Sequence, residues 1–372
     1  MKYYIIAGEA SGDLHASNLV RELKKTDSAA LFRGWGGALM EKQGVDMVEH
    51  YRNTAFMGFL EVAMHLRKIF RLLDHCKKDI LSFQPDAVIL VDYPGFNLRI
   101  AAFTHQQGIP TFYYVSPQVW AWKENRVKNI RRDVDRLYCI LPFEQEFYRK
   151  WNYEVEYVGH PLLDNLVQTA PDPSFRSRNG LSSRPLVALL PGSRSQEIRN
   201  MLPVMGRVAS HFPGYEFVVA GLSSVEQQIY DHALEHTPIR VCYDQTYALL
   251  QESKAALVTS GTATLEAALF KVPQAVCYRG NPLSYWIGRQ LVRVKYISLV
   301  NLVMDQEVVR ELLQDQMNEK AMIQELGQLL EDGPYRHRLL QQYELLIEKL
   351  GGPGASARVA ASIQRQLLAR PH

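Results

Sequence analysis

Short runs of Val, Ile, Leu, Ala and Tyr recur along this chain, each apolar on both alternating faces, with a helical stretch between one run and the next. Such runs are expected of strands buried on both sides in a parallel sheet. A first series falls at residues 3–7, 87–91, 111–115 and 137–141, with a helix expected over 14–24. A second falls at 186–190, 217–220, 239–243, 255–259 and 275–278. Between them, residues 168–185 (QTAPDPSFRSRNGLSSRP) are rich in Pro, Ser and Arg and poor in large apolar groups, as a crossover between domains would be. The last hundred residues are mostly helical in pattern, and Gly351-Gly352-Pro353-Gly354 sets off a final helix of about 355–368. The expected architecture is α/β: two Rossmann-like, doubly wound domains, 1–167 and 168–350, facing a central cleft. Residues 351–372 return to the first domain or cross to a partner subunit, as in a homodimer. A chain of 372 residues suits two cores better than one.

The function classes are narrowed by what the chain lacks. Its hydrophobic share of 47% and charged share of 22% are those of a folded globular protein. The net charge of +3 gives no reason to expect nucleic acid as a partner. Cys76, Cys139, Cys242 and Cys277 are far apart and form no Cys-x-x-Cys pair, which argues against a zinc site or a disulfide framework and fits a reducing compartment. The apolar run 3–7 is too short for a signal peptide, and no stretch approaches the roughly 20 apolar residues of a membrane span. A cytoplasmic location is expected, with a membrane surface still open as a partner.

In doubly wound folds, ligands meet the loops at the carboxyl ends of the strands, so four loops carry the chemistry. Gly8-Glu9-Ala10-Ser11-Gly12-Asp13 joins a strand to a helix, with glycines that admit close approach and a helix N-terminus that offers N–H groups to an anion. Its spacing is not the dinucleotide fingerprint. The plain alternative is a tight turn with Ser11 or Asp13 as helix cap. Leu189-Leu190-Pro191-Gly192-Ser193-Arg194 leads into a second helix, with Ser193 and Gln196 in capping-box spacing. A cation at that N-terminus is disfavoured by the helix dipole unless an anion bridges the two, and a diphosphate would do so. Ser260-Gly261-Thr262 opens a third helix, with Glu266 about one turn along, where a carboxylate could accept from the two ribose hydroxyls or merely complement the dipole. Two such loops in one domain point to a nucleotide diphosphate.

The fourth loop, Asp92-Tyr93-Pro94-Gly95-Phe96-Asn97, places a carboxylate at the end of a buried strand, where it could deprotonate an attacking hydroxyl or cap the next helix. Ser116-Pro117-Gln118-Val119-Trp120-Ala121-Trp122 follows the next strand and offers aromatic walls for a sugar ring or acyl chain, unless both Trp side chains are core. Asp133-Val134-Asp135 matches the metal-binding Asp-x-Asp of some glycosyltransferases, but it precedes a strand and follows Arg131-Arg132, so local pairing is expected. His15 and His160 have no ligand-spaced partner. No metal and no cofactor are inferred.

The segments 7–13, 114–122, 141–144, 189–194, 260–266 and 296–302, in order along nearly the whole chain, resemble the lipid A disaccharide synthase family. The Ser-Pro-x-x-Trp-Ala-Trp motif is the most specific of them. The resemblance implies an inverting, metal-independent glycosyltransferase of the GT-B fold, acting at the cytoplasmic face of the inner membrane of Gram-negative bacteria. It implies a donor, UDP-2,3-diacylglucosamine, and an acceptor, 2,3-diacylglucosamine 1-phosphate (lipid X), joined as a β-1,6 disaccharide with release of UDP. Asp92 then corresponds to the family's essential aspartate and Arg194 to its essential arginine. Ser11, Gly12, Gly192, Ser193, Arg194, Ser260, Gly261, Thr262 and Glu266 are the donor candidates; Glu9, Ser116, Gln118 and Trp120 are the acceptor candidates. Many members carry a second Asp where this chain has Gly95. Competing readings are another GT-B enzyme, such as a UDP-N-acetylglucosamine 2-epimerase or a murein-precursor transferase, and a non-catalytic peripheral lipid-binding protein. An oxidoreductase is weakened by the absent dinucleotide fingerprint.

Acylated substrates require a route to a lipid surface. Phe59, Val62, Ala63, Leu66, Ile69, Phe70 and Leu73 form one helical stripe, expected to pack on the sheet. Phe56, Leu60 and Met64 fall on an adjacent face with Arg67 and Arg71, as an interfacial helix offers to anionic phospholipid. Trp286, Arg289 and Arg293 form a second candidate of the same kind.

Overall fold

The computed structural model describes residues 1–54, 66–235, 237–280 and 295–369, without the side chains of residues 54, 66, 122 and 168. The chain divides into two compact units, Met1–Asp164 with Gly352–His372, and Asn165–Gly351. The first boundary falls inside the helix Leu162–Gln168, three residues before the polar 168–185 stretch that the sequence suggested. Composition marks where large apolar residues stop, and the chain leaves the first core slightly earlier.

The first unit is a seven-stranded, wholly parallel sheet in the order β3-β2-β1-β4-β5-β6-β7. Its strands are β1 (Lys2–Ala7), β2 (Leu31–Gly36), β3 (Asp46–His50), β4 (Ala87–Val91), β5 (Thr111–Tyr114), β6 (Arg136–Cys139) and β7 (Glu156–Tyr157). Two apolar layers cover it. On one face Ala16, Leu19, Val20 and Leu23 of the helix Ala10–Thr26 meet Val359, Ala360 and Ile363 of the helix Ala355–Leu368. On the other, Leu73, Cys76 and Ile80 of the helix Leu66–Phe83 pack with Ile100 and Ala101 of the helix Pro94–Gln106. The final helix thus closes its own first unit. Asp164 holds it there, accepting from the N–H groups of Gly354, Ala355 and Ser356, the last two at 3.1 and 3.0 Å.

The second unit is a six-stranded parallel sheet in the order β10-β9-β8-β11-β12-β13. Its strands are β8 (Leu186–Leu190), β9 (Glu216–Gly221), β10 (Arg240–Tyr243), β11 (Ser253–Thr259), β12 (Gln274–Tyr278) and β13 (Glu311–Leu313). Both sheets have the doubly wound order that reverses between the first and fourth strands, and such folds bind ligands at that switch point. It lies between β1 and β4 in one unit and between β8 and β11 in the other. Among the described residues no helix is long and apolar enough to cross a membrane, and no group of three metal-ligating side chains gathers.

One expectation on the helix Leu66–Phe83 needs correction. Ile69 and Leu73 face the core as the stripe required, but Phe70 is 62% exposed. It shares the outer side with the exposed Arg67 and Arg71. Three residues past Arg67 and one before Arg71, it falls where the helix has already turned off the sheet. Phe56, Leu60, Met64, Trp286, Arg289 and Arg293, like Phe59, Val62 and Ala63, lie outside the described residues.

Candidate functional site

At the switch point of the first unit, the loops after β1 and β4 press together. A Cβ on Gly8 would collide with the ring of Tyr93, so only glycine allows this approach. A Cβ on Gly12 would make only ordinary contact with Ala7 and the Val91 carbonyl, at 3.4 and 3.7 Å. The helix here begins at Ala10 with Glu9 as its cap residue, so Ser11, Gly12 and Asp13 already lie in its first turn. Asp13 does not cap its own helix. Its buried carboxylate accepts from Gly37, Leu39 and Met40 N–H at 2.8–3.1 Å, capping the next helix, Ala38–Lys42. Ser11 is exposed, beside the first unit's switch point rather than in the unit that carries the other donor candidates.

Asp92 directly follows β4 with φ +46°, and Tyr93 comes next at +51°, two consecutive left-handed residues that are not glycine. Three groups hold this backbone. Asp92 N–H donates to the Tyr114 carbonyl at 3.0 Å. The Tyr113 hydroxyl and the Asn97 amide donate to the Asp92 carbonyl at 2.6 and 2.7 Å. The Asp92 side chain does not cap the helix Pro94–Gln106, whose cap residue is Tyr93. Burial pushes its pKa up to about 7, with the nearby Glu9 carboxylate adding to the rise and a hydrogen bond from the Tyr93 backbone opposing it. A carboxylate poised near neutrality is suited to general base work. Gly95 is exposed, and a Cβ there would meet open space.

In the 116–122 segment, Trp120 is core rather than an open aromatic wall, and the Trp122 side chain lies outside the described ones. Ser116 and Trp120 are buried, and among the described side chains of the segment only Gln118 stands exposed. Ser116 Oγ lies 2.7 Å from the Tyr148 hydroxyl, and Trp120 Nε1–H donates to Glu144 at 3.2 Å. The segment is thus fastened from beneath by the helix Glu144–Arg149, and Gln118 is the candidate of this loop with a side chain free of the core.

In the second unit, β8 runs into Pro191 and Gly192, whose φ of +109° suits glycine alone. The helix Ser195–Val208 follows with Arg194, not Ser193, as cap residue, and Glu197, not Gln196, as its capping partner. Glu197 accepts from Ser193 and Arg194 N–H at 3.0 and 3.2 Å and stands 3.8 Å from the Arg194 guanidinium. One Glu so holds two N–H groups of the turn. The Arg194 side chain is 59% exposed and projects from the helix start. At the end of β11, Ser260 and Gly261 (φ +124°) lead into the helix Thr262–Leu269, with Thr262 exposed. Glu266 accepts the Tyr247 hydroxyl at 3.0 Å, and burial raises its pKa. Both donor loops therefore flank the switch point between β8 and β11.

The remaining candidates have local structural roles. Asp133 is buried and pairs with Arg132 at 2.6 Å, and Asp135 accepts from Thr111 N–H at 2.8 Å, so the Asp-x-Asp is locally satisfied. His160 is a buried core histidine whose Nδ1 accepts from Leu162 N–H at 3.3 Å. His15 is likewise buried, and desolvation lowers its pKa to about 4. Sequence reasoning missed Asn97, Tyr113, Glu144, Tyr148, Glu197 and Tyr247. Asn97 and Glu144 carried a signal, as the ends of the Asp92–Asn97 loop and of a Leu-Pro-Phe-Glu segment after a strand.

Comparison with known proteins finds relatives over nearly the whole chain. The family model described as lipid-A-disaccharide synthetase matches residues 3–361. A lipid-A-disaccharide synthase of Myxococcus xanthus is 39% identical over 367 residues, covering 96% of each chain. One of Geobacter metallireducens is 38% identical over 370 residues, covering 98% of this chain and 96% of its own. Among solved structures, the UDP-GlcNAc 2-epimerase of Methanocaldococcus jannaschii, in complex with UDP-GlcNAc and UDP, has a TM-score of 0.69 at 14% identity, covering 98% of this chain and all of its own. The calicheamicin glycosyltransferase CalG4 has a TM-score of 0.62 at 15% identity, covering 100% of this chain and 98% of its own. Those structural likenesses share the GT-B fold.

Proposed function

Since the chain belongs to the lipid-A-disaccharide synthetase family, we propose that it joins UDP-2,3-diacylglucosamine to 2,3-diacylglucosamine 1-phosphate with Asp92 as the base. The chain is a glycosyltransferase of lipid A biosynthesis. The observation that carries the reading of the site is Asp92: a half-buried carboxylate at a switch point, held in a left-handed backbone and raised to about 7.

In this reading, Asp92 takes the proton from the acceptor 6-hydroxyl as that oxygen bonds to C1 of the donor sugar. The C1–O bond to the diphosphate breaks on the opposite face, which inverts the anomeric centre, and UDP departs. Charge grows on the diphosphate as the bond breaks. Arg194, with the backbone N–H groups around Ser260–Thr262, supplies the compensating positive ends, while Glu197 keeps the Ser193–Arg194 turn in shape. Glu266 serves the ribose hydroxyls, exchanging its Tyr247 partner for them. Gln118 and Glu9 face the acceptor, while Ser116 and Trp120 hold the loop in shape. The outer side of the helix Leu66–Phe83 meets the inner-membrane surface from the cytoplasm.

Mixing both lipids with the purified chain in a chelating buffer should release UDP and the disaccharide 1-phosphate in equal amounts. UDP release without acceptor, or epimerised UDP-sugar as the product, would overturn the assignment.

A further inference from the structure

Glu144 is a carboxylate that the reaction as described does not use. It opens the helix Glu144–Arg149 and is only 1% exposed. Its oxygens take three N–H groups: one accepts Trp120 Nε1–H at 3.2 Å, the other accepts Ile140 and Leu141 N–H at 3.2 and 3.0 Å. A buried carboxylate is costly unless its lone pairs are so occupied. One turn along the same helix, Tyr148 brings its hydroxyl to Ser116 Oγ at 2.7 Å. The Phe143 ring meets Trp120 edge-on at 4.9 Å between centroids. One short helix therefore grips both ends of the 116–120 segment.

That segment is continuous with β5, and β5 holds Asp92. Val115 turns off the strand in a left-handed conformation, φ +62°. Immediately before it, Tyr114 accepts the Asp92 N–H and Tyr113 donates to the Asp92 carbonyl. We propose that Glu144 is a positioning residue for the transfer reaction. By tying Trp120 to the 140–141 turn it fixes the 116–120 segment and, through Tyr113 and Tyr114, the backbone on which Asp92 is presented. The inference rests on Asp92 being the base.

The residue type is decided by its donors. Three N–H groups approach from two sides, and a carboxylate accepts on both. A carboxamide must turn its NH₂ toward either Trp120 or the two backbone N–H groups, so Glu144→Gln keeps the volume and breaks one side.

The test uses the full chain and UDP release from the two lipids, with thermal melting and UDP calorimetry alongside. Glu144→Gln should lower kcat by at least about 10-fold, within the range expected when a reacting group shifts by a fraction of an ångström. UDP affinity should stay at the wild-type value, since the donor groups lie in the other unit. Tryptophan emission should differ between Glu144→Gln and wild type, and that difference should vanish in a Trp120→Phe background. Ile80→Ala, a core truncation elsewhere in the first unit, should lower the Tm while keeping kcat. If Glu144→Gln keeps kcat within twofold, or if Ile80→Ala at equal loss of Tm loses as much, Glu144 is ordinary core and the inference fails. If Glu144→Gln does not fold, Tyr148→Phe decides: a roughly threefold change in kcat or acceptor KM at wild-type Tm supports the relay, and unchanged kinetics overturn it. Full turnover by Asp92→Asn would instead overturn the base assignment itself.

Discussion

The Tyr113 hydroxyl donates to the Asp92 carbonyl at 2.6 Å, from a side chain wholly inside the sheet. Left-handed backbone at a residue other than glycine costs roughly 1–3 kcal/mol, and two such residues stand in succession at Asp92 and Tyr93. The conformation persists because Tyr113, Asn97 and the Tyr114 carbonyl over-determine it. It sets the half-buried Asp92 carboxyl at the carboxyl end of β4.

Asp92→Asn keeps the shape and loses the proton affinity. Turnover should fall to near zero, and the wild-type rise of kcat/KM with pH through about 7 should be absent from whatever remains. Stability should move the other way. Folded Asp92 keeps its proton to about 7, whereas an unfolded Asp releases it near 3.9, so across that window the unfolded state binds fewer protons and stability falls as pH rises. The variant escapes that loss. Its Tm should exceed wild type at pH 8 and approach it at pH 4, and a variant less stable than wild type at pH 8 would show that the ionised carboxylate is needed to hold the fold.

Arg194→Ala should reduce turnover by roughly 10²-fold, the scale of removing one charge stabiliser. The side chain is 59% exposed and, among the described residues, bonds only to its own turn, so the Tm should hardly change. Calorimetry should show weakened UDP binding. Wild-type turnover at saturating donor would remove Arg194 from the site.

Asp164→Ala leaves the N–H groups of Gly354, Ala355 and Ser356 without their acceptor. A lost helix cap costs about 1–2 kcal/mol, and two of these residues are fully buried, so the upper end is expected. The Tm should drop by several degrees, and limited proteolysis should cut first near Gly351–Gly354. Wild-type Tm and proteolysis would mean that the apolar face of Val359 and Ile363 holds the helix alone.

How legible this was from sequence depended on whether the signal was local. β1, β4, β5, β8 and β11 are buried on both faces and read directly as apolar runs. β2 and β3 were missed because Leu31–Gly36 carries Arg33 and two glycines and Asp46–His50 is polar and half exposed at the sheet edge. β13, three residues inside a helical tail, had no periodicity to show. Gly8, Gly192 and Gly261 announced their loops because close approach or positive φ leaves a mark in the sequence itself. The partners of functional carboxylates leave none. Tyr247 reaches Glu266 across 19 residues and Tyr148 reaches Ser116 across 32, and only the folded sheet brings them together.

The proposed function asks the chain to reach a lipid surface, and the helix Leu66–Phe83 offers one described patch for it. Arg67, Phe70 and Arg71 stand three and four residues apart, so they share one exposed side, opposite Leu73, Cys76 and Ile80 in the core. A Phe that is 62% exposed between two cations has lost the burial that would stabilise it by about 2 kcal/mol, and an interfacial layer restores that term. Each arginine adds about 1 kcal/mol near an anionic surface, a contribution that salt screens. Arg67→Ser with Arg71→Ser should therefore weaken sedimentation with phosphatidylglycerol vesicles far more than with phosphatidylcholine vesicles, and added salt should mimic the change in wild type. Phe70→Ser should weaken both and resist the effect of salt. All three substitutions lie on the solvent side, so Tm and UDP affinity should stay at wild-type values while turnover of vesicle-borne substrate falls. If the double arginine variant and Phe70→Ser both sediment with anionic vesicles as wild type does, this side of the helix is an ordinary solvated surface.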